Sequence, residues 1–391
     1  MLSTADWSHP FVTNKQRVAA SLADRGMEVL YVESQGLRRP APNARDLRRI
    51  AARLRSALGG LRNPRPGIRV YSPAVVPLHG WRPVRGLNRL ILAAALRRHM
   101  RRLGFGRPLL WTYTPMAADI ADRLDPSMVV YHCVDDLSAA PFMPARAIRA
   151  AEEELLRRAD LVFTTSPALQ ARCEAVAAGR TWCHPNVADY DHFSAAREPG
   201  PLPPDLAAIP EPRIGYVGAI SPYKLDFELI RTVALHRPEW HWVLVGQVGE
   251  GQPGTSDEPL RLPNVHLIGP RRYEELPDYL RGFDVATVPA PLNPYTEAMF
   301  PMKFFEYLGA GCPVVSTDLP ALRAHADVCV LARGPGEFET ALAECLAGHR
   351  PDPTLADRSA RKHTWEWRTS EMLALIAAAA NAGGARSAAN S

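Results

Sequence analysis

Short continuous apolar runs alternate with amphipathic stretches along almost the whole chain. In the first half MEVLYVE (27–33), IRVYSP (68–73), LLWTY (109–113), MVVYHCV (128–134) and LVFTTS (161–166) read as buried strands. Between them NKQRVAASLADRG (14–26) and ARAIRAAEEELLRRA (145–159) carry helical spacing. Runs apolar on every residue, rather than every second one, belong to strands covered on both faces, which predicts a parallel, doubly wound sheet. PGPLPPDLAAIPEP (199–212) interrupts the pattern with six prolines and reads as a linker. The alternation then restarts with RIGYVG (213–218), HWVLVG (241–246), VHLIG (265–269), DVATVP (284–289), PVVST (313–317) and VCVLA (328–332).

The expected organisation is two open α/β domains with a cleft between them: residues 1–198, a linker at 199–212, and residues 213–355. A helical segment follows at 356–380, then a polar, disordered tail at 381–391. Only Met1–Ala5 precede the first loop, where a full strand is expected before the helix at Asn14. This predicts a true start upstream of Met1. Sheets of this kind bind ligands beyond the carboxyl ends of their strands, so the loops there are searched for chemistry.

Composition narrows the class. Apolar residues make up 47% and charged residues 22%, with no uncharged apolar window approaching the roughly 18 residues that span a bilayer. MLSTADWSHPF has neither the basic nor the apolar region of a secretory signal. Six scattered cysteines without a C-x-x-C pair argue against zinc and disulfide frameworks, and for a reducing compartment. The net charge of +5 is unevenly spread. Residues 1–110 hold 20 Arg and one Lys against five acids, a net of +16, leaving −11 for the rest. The arginines concentrate in 44–62 and 84–107, with Leu, Ile and Ala between them at helical spacing. Such helices suit an anionic membrane surface. Nucleic acid is disfavoured because no recognition motif accompanies the arginines. A solvated arginine-rich face is the plain alternative.

Four stretches carry candidate chemistry. GYVGAISPYKLDFELI (215–230) leads a strand through Gly218 into a turn with Lys224 and then a helix. Glycine admits a phosphate close to the backbone and lysine adds a charge; a solvated turn is the alternative. It lacks the G-x-G-x-x-G spacing, which disfavours a nicotinamide dehydrogenase. Gly269 and Arg271 follow another strand in LIGPRR and could bracket a nucleobase. In FPMKFFEYLGAGCPVVST (300–317), Pro301 suits a helix start, followed by Met302, Lys303 and, one turn on, Glu306. A cation at a helix start is unfavourable unless an anion binds there, and a carboxylate can accept from a ribose diol. A surface Lys303–Glu306 pair is the alternative. MVVYHCVDDLSAA ends a strand with His132, Asp135 and Asp136 as acceptor ligand or base; a helix cap or an acidic metal pair are the other readings. Near the start Trp7, His9, Asn14 and Arg17 flank a loop-to-helix junction and could hold an acceptor headgroup, though Asn14 could simply cap the helix.

Taken in order, RRADLVFTTSPALQARC, HPNVAD, VGAISPYK and MKFFEYLGAGCPVVST resemble segments of the GT-B glycosyltransferases, specifically the family 4 group of bacterial envelope and exopolysaccharide enzymes. The resemblance covers nearly the whole chain, with the last segment the most specific. It implies two Rossmann-like domains, a nucleotide sugar on the second, an acceptor on the first, no metal and usually retention. Lys224 then matches the phosphate-loop lysine and Glu306 the second glutamate of the Glu-x₇-Glu motif, which grips the ribose. Three positions depart. The phosphate-loop arginine is Ala219, the first glutamate falls on Ala298 with Glu297 beside it, and Asn-Gly-Val-Asp becomes Asn-Val-Ala-Asp. Lys303 is the available compensating charge, and Glu297 the candidate sugar-face carboxylate.

The expected function is transfer of a sugar from a nucleoside-diphosphate donor to a glycolipid or glycan acceptor, without cofactor or metal. The expected location is the cytoplasm, on the inner face of the membrane. A sugar-nucleotide 2-epimerase and a non-catalytic sugar-nucleotide-binding subunit are the alternatives.

Overall fold

A computed structural model describes residues 1–8, 12–34, 60–73 and 82–389. His9 and residues 44–59 of the first arginine-rich segment lie outside the described residues. Contacts divide the chain into two units, Met1–His184 with Thr369–Ser391, and Pro185–Arg368.

In the first unit β1 (Val29–Val32) pairs in parallel with β3 (Ile68–Tyr71), and β2 (Leu61–Arg65) runs antiparallel on its outer side. A second parallel set runs in the order β4 (Leu109–Thr112), β5 (Met128–Cys133), β6 (Leu161–Thr164), β7 (Thr181–Cys183). Every residue of β1, β5 and β6 is buried, as continuous apolar runs require. Leu2 joins the two sets, with parallel bridges to Val32 of β1 and Thr112 of β4. The strand expected at the start is thus a single bridging position in the middle of the sheet. Helix α1 (Asn14–Asp24) follows, and Thr13 with Gln16 forms its capping box, so Thr13 rather than Asn14 is the cap. Helix α2 (Arg82–Arg102) contains most of the second arginine-rich segment.

The second unit is a six-stranded all-parallel sheet made of β8 (Arg213–Val217), β9 (His241–Val245), β10 (Val265–Leu267), β11 (Val285–Val288), β12 (Val314–Thr317) and β13 (Val330–Ala332). Its order is β10-β9-β8-β11-β12-β13, so the winding reverses between β8 and β11. The crevice beyond the carboxyl ends of that pair is the expected ligand position in such a sheet. One face buries Phe283, Phe304, Phe305 and Leu308, the other Ile230, Trp242, Leu244 and Phe338.

Three boundaries differ from the sequence reading. The contacts divide the chain at residue 184 rather than 198. The proline-rich stretch 199–212 is packed, with Leu206 and Ile209 in the core of the second unit and a one-turn helix at Pro204–Ala207. The C-terminal helical segment breaks at His363–Thr364, and its last helix, Trp365–Ala389, runs past Asn381, where a disordered tail was expected; from Thr369 it belongs to the first unit.

Candidate functional site

Residues at the β8/β11 crossover come from four loops. After β8 the backbone turns at Gly218, whose N–H donates to the Val245 carbonyl at 3.0 Å. Gly246, the first residue after β9, lies against it so closely that an added Cβ would sit 1.7 Å from the Gly218 carbonyl oxygen. Two glycines therefore let two strand ends cross. The loop continues through Ser221, whose hydroxyl donates to the Glu250 carbonyl (2.7 Å), to Lys224. The Lys224 ammonium stands over the rings of Tyr223 (5.4 Å) and Tyr295 (5.7 Å), which meet edge to face at 5.1 Å. Tyr295 belongs to the loop after β11, and Asn293 of that loop donates to the Tyr223 carbonyl (3.0 Å). The lysine is thus held by both strands of the switch point. Ala219, where the resemblance calls for arginine, is 9% exposed.

Helix α3 (Lys303–Ala310) supplies the other half. It begins two residues after Pro301, with Met302 at its N-cap, and ends at Gly311, whose φ of +82° is the left-handed closure that glycine adopts without strain. Tyr307, fully buried, accepts the Val217 N–H at 2.8 Å and ties the helix to the end of β8. Asn186 donates to the Phe300 carbonyl at 2.9 Å and fixes the approach to the helix. Glu306 is only 4% exposed and pairs with the Lys303 ammonium at 2.8 Å. The ion pair weighed from sequence does form, but its carboxylate is buried rather than on the surface. Glu297 ends the one-turn helix Pro294–Glu297 and is exposed.

Arg271 does not join this group. Its guanidinium bonds the Tyr279 hydroxyl (2.5 Å) and the Asp205 carboxylate, which fastens the 204–207 turn to the unit.

In the first unit the end of β5 holds the other candidates. His132 is fully buried and stacked on Tyr113 at 4.9 Å, with Trp111 and Phe163 close by. Asp136 is bound by Arg172 (2.5 Å) and by the N–H and hydroxyl of Ser138 (3.0 and 2.6 Å). Arg172 also bonds the buried Glu152 at 3.2 Å. Burial opposes the Arg172 charge, but Cys133, Glu152 and Asp136 outweigh it and raise its pKa. Asp136 is thus held in its loop by Arg172 and Ser138. Asp135 keeps a 26% exposed side chain 3.7 Å from the Lys15 ammonium. Asn14, 1% exposed, accepts from the Tyr113 hydroxyl at 3.3 Å. Trp7 packs edge-on against Tyr31, and Arg17 is half-buried on α1. Gly246, Tyr295 and Tyr307 were not singled out from sequence. Nothing local marks them, since each acts through a partner distant along the chain. Among the described residues no group of three or more His, Cys, Asp or Glu could hold a metal ion.

Residues 211–348 match the model of the family described as Glycosyl transferases group 1. The Bacillus subtilis (strain 168) protein TuaH, named as a glycosyltransferase of teichuronic acid biosynthesis, is 34% identical over 230 residues, covering 55% of this chain. The chain spans about half the length of that curated relative, 56%. The chain has the GT-B fold, and the match to that family lies within its second unit. Two solved structures show the shared fold at low identity. Sucrose-phosphate synthase from Thermosynechococcus elongatus has TM-score 0.63 and 19% identity, over 94% of this chain and 90% of that one. HepE from Anabaena, solved in complex with UDP, has TM-score 0.64 and 15% identity, over 96% and 98%. In this GT-B chain the matched family segment contains the β8 loop, Lys224, Glu297 and helix α3, all in the second unit.

Proposed function

We propose that this chain transfers a sugar from a nucleoside-diphosphate sugar to a glycolipid or glycan acceptor of the cell envelope. The observation that carries the reading is the β8/β11 crossover, where β8 runs into the glycine turn that leads to Lys224 and is tied at Val217 to Tyr307 of the helix bearing Lys303 and the buried Glu306. HepE has been solved in complex with UDP and with UDP-glucose, and TuaH is named for teichuronic acid biosynthesis, which supports the donor class and the pathway class. In this reading Lys224 and Lys303 neutralise charge developing on the departing diphosphate. Glu306 leaves Lys303 to accept the ribose hydroxyls. The acceptor oxygen bonds the anomeric carbon as the bond from that carbon to the diphosphate oxygen breaks. The acceptor proton passes to Asp135 if the reaction inverts, or to the leaving phosphate if it retains. No cofactor enters this scheme.

Helix α2 supports a membrane-borne acceptor. It exposes Leu87 (52%), Leu90 (49%) and Ile91 (44%) on one stripe, carries exposed Arg97, Arg98, Arg101 and Arg102 toward its end, and has no acid along its length. Apolar residues on one stripe with unopposed arginines fit a helix lying on anionic lipid. Among the described residues no helix is long and apolar enough to cross a membrane.

The test is a thermal-shift titration with UDP, GDP and ADP, followed by donor turnover with membrane extracts. Stabilisation by one of these, lost in Lys224→Ala, is expected. No response to any nucleoside diphosphate would overturn the donor assignment. Isomerisation of the donor sugar without acceptor would move the reading to an epimerase.

A further inference from the structure

Two loops at the β8/β11 crossover are joined through the side chain of Asn293. The loop after β8 carries Lys224, directly preceded by Tyr223. The loop after β11 runs through the one-turn helix Pro294–Glu297 toward Pro301 and helix α3. Asn293 is the N-cap of that turn. Its Oδ1 accepts the N–H groups of Tyr295 (2.9 Å) and Thr296 (3.0 Å), while its Nδ2 donates to the Tyr223 carbonyl (3.0 Å). Two N–H donors on one atom require the oxygen, and a carbonyl on the other requires the nitrogen, so the amide has a single orientation. The Asn293 N–H donates to the Thr296 hydroxyl oxygen at 3.1 Å and completes a capping box.

Capping uses only the oxygen. Serine, aspartate and asparagine cap a helix about equally well, but of these only asparagine carries an acceptor on one atom and a donor on a second. Here the second atom meets the residue just before Lys224. Other contacts hold the same two loops together. The Asp226 N–H donates to the Pro289 carbonyl at 2.8 Å, and the Tyr223 and Tyr295 rings meet at 5.1 Å beneath the Lys224 ammonium. A third loop closes the far side of Tyr223, since a Cβ added to Gly251 would lie 2.3 Å from the tyrosine hydroxyl oxygen. The Lys224 loop is therefore tied on both sides of the lysine, at Tyr223 and at Asp226, to the segment that leads to Lys303 and Glu306.

We propose that Asn293 is a positioning residue for donor turnover: its amide makes the Lys224 loop and the segment leading into helix α3 one rigid piece. The inference rests on the donor site proposed above. Asn293 touches no reacting atom and acts through the placement of Lys224. Binding a diphosphate needs the positive charge nearby, whereas turnover needs it in register with the breaking bond, where a misplacement of about 1 Å costs on the order of 10²-fold. Loss of the Tyr223 bridge therefore lowers kcat more than it raises KM.

Asn293→Ser, Asn293→Asp and Asn293→Ala are compared with wild type. Serine and aspartate keep the cap and lose the bridge, and aspartate also turns an oxygen toward the Tyr223 carbonyl. In both, kcat for the donor should fall roughly 10–100-fold, more in the aspartate variant, with KM within about threefold of wild type. Without ligand, the amides of residues 219–226 should exchange faster in both variants. Wild-type kcat and exchange in the serine and aspartate variants, with losses in the alanine variant alone, would make Asn293 a cap and overturn the proposal. A rise in KM with kcat unchanged overturns it as well. A wild type that binds no nucleoside diphosphate removes the donor reading and this inference with it; a wild type that binds, beside unaltered serine and aspartate variants, removes this inference alone.

Discussion

Replacing Gly246 with alanine places a methyl carbon 1.7 Å from the Gly218 carbonyl oxygen, half of the 3.4 Å at which ordinary contact begins. The obstacle is backbone, so no rotamer change relieves it. Either the ends of β8 and β9 separate, breaking the Gly218 N–H bond to Val245, or the loop that carries Lys224 shifts. Overpacking a core by a methylene costs about 1–3 kcal/mol, and a backbone clash this close belongs at or above the top of that range. For a unit of this size, about 3 kcal/mol lowers Tm by roughly 6–12 °C. Differential scanning fluorimetry reads the stability, and calorimetric titration with the nucleoside diphosphate that binds the wild type reads the site. Gly336→Ala is the control, because a Cβ there meets nothing within 4 Å and the residue lies in a helix; it should be neutral, or stabilising by up to about 1 kcal/mol. A Gly246→Ala protein that melts within about 1 °C of wild type and binds nucleotide unchanged would refute the crossing-glycine account.

Glu306→Gln keeps the shape but removes the charge that pairs with Lys303; a hydrogen bond to a charged group is worth about 1.5–3 kcal/mol, so nucleotide affinity should fall roughly 10–100-fold by calorimetry. Arg172→Met strands the buried Glu152 and frees Asp136, and should lower Tm by several degrees while leaving nucleotide affinity unchanged; an affinity loss would show that the first unit contributes to donor binding. Leu87→Gln, Leu90→Gln and Ile91→Gln together should weaken binding to phosphatidylglycerol vesicles in flotation assays without altering nucleotide affinity. Burial lowers the pKa values of His325 and His363, which pack around Phe305. Below about pH 6.5 the unfolded chain binds more protons than the folded one, so stability should fall with pH by up to about 1.4 kcal/mol per unit for each histidine; urea midpoints at pH 7.5 and 5.5 check the sign.

Much of the second unit was legible along the chain. GYVGAISPYK and MKFFEYLGAG are local signals: a strand must turn at a glycine before a helix, and a helix must close at one, so residue type and spacing identify both pieces. Asp135, Asp136 and His132 were equally visible, yet their roles were not. One is half-open beside Lys15, one is held by Arg172, and one is buried among aromatic rings. These fates depend on residues 19 to 120 positions away, and no short window contains them.

The sequence by itself determined the class of the fold, because burial on both faces writes continuous apolar runs and helical coverage writes a 3.6-residue period. It also determined that a phosphate-suited turn and a lysine–glutamate helix exist. Only the tertiary structure decided that the two meet at the β8/β11 reversal, that Tyr223 and Tyr295 flank Lys224, and that Glu306 is buried against Lys303. It alone showed that Gly246, against the Gly218 carbonyl, has no room for a side chain. Strand order and side-chain enclosure are properties of segments distant in sequence, set by how sheets wind and close-pack, and they exist only once the chain has folded.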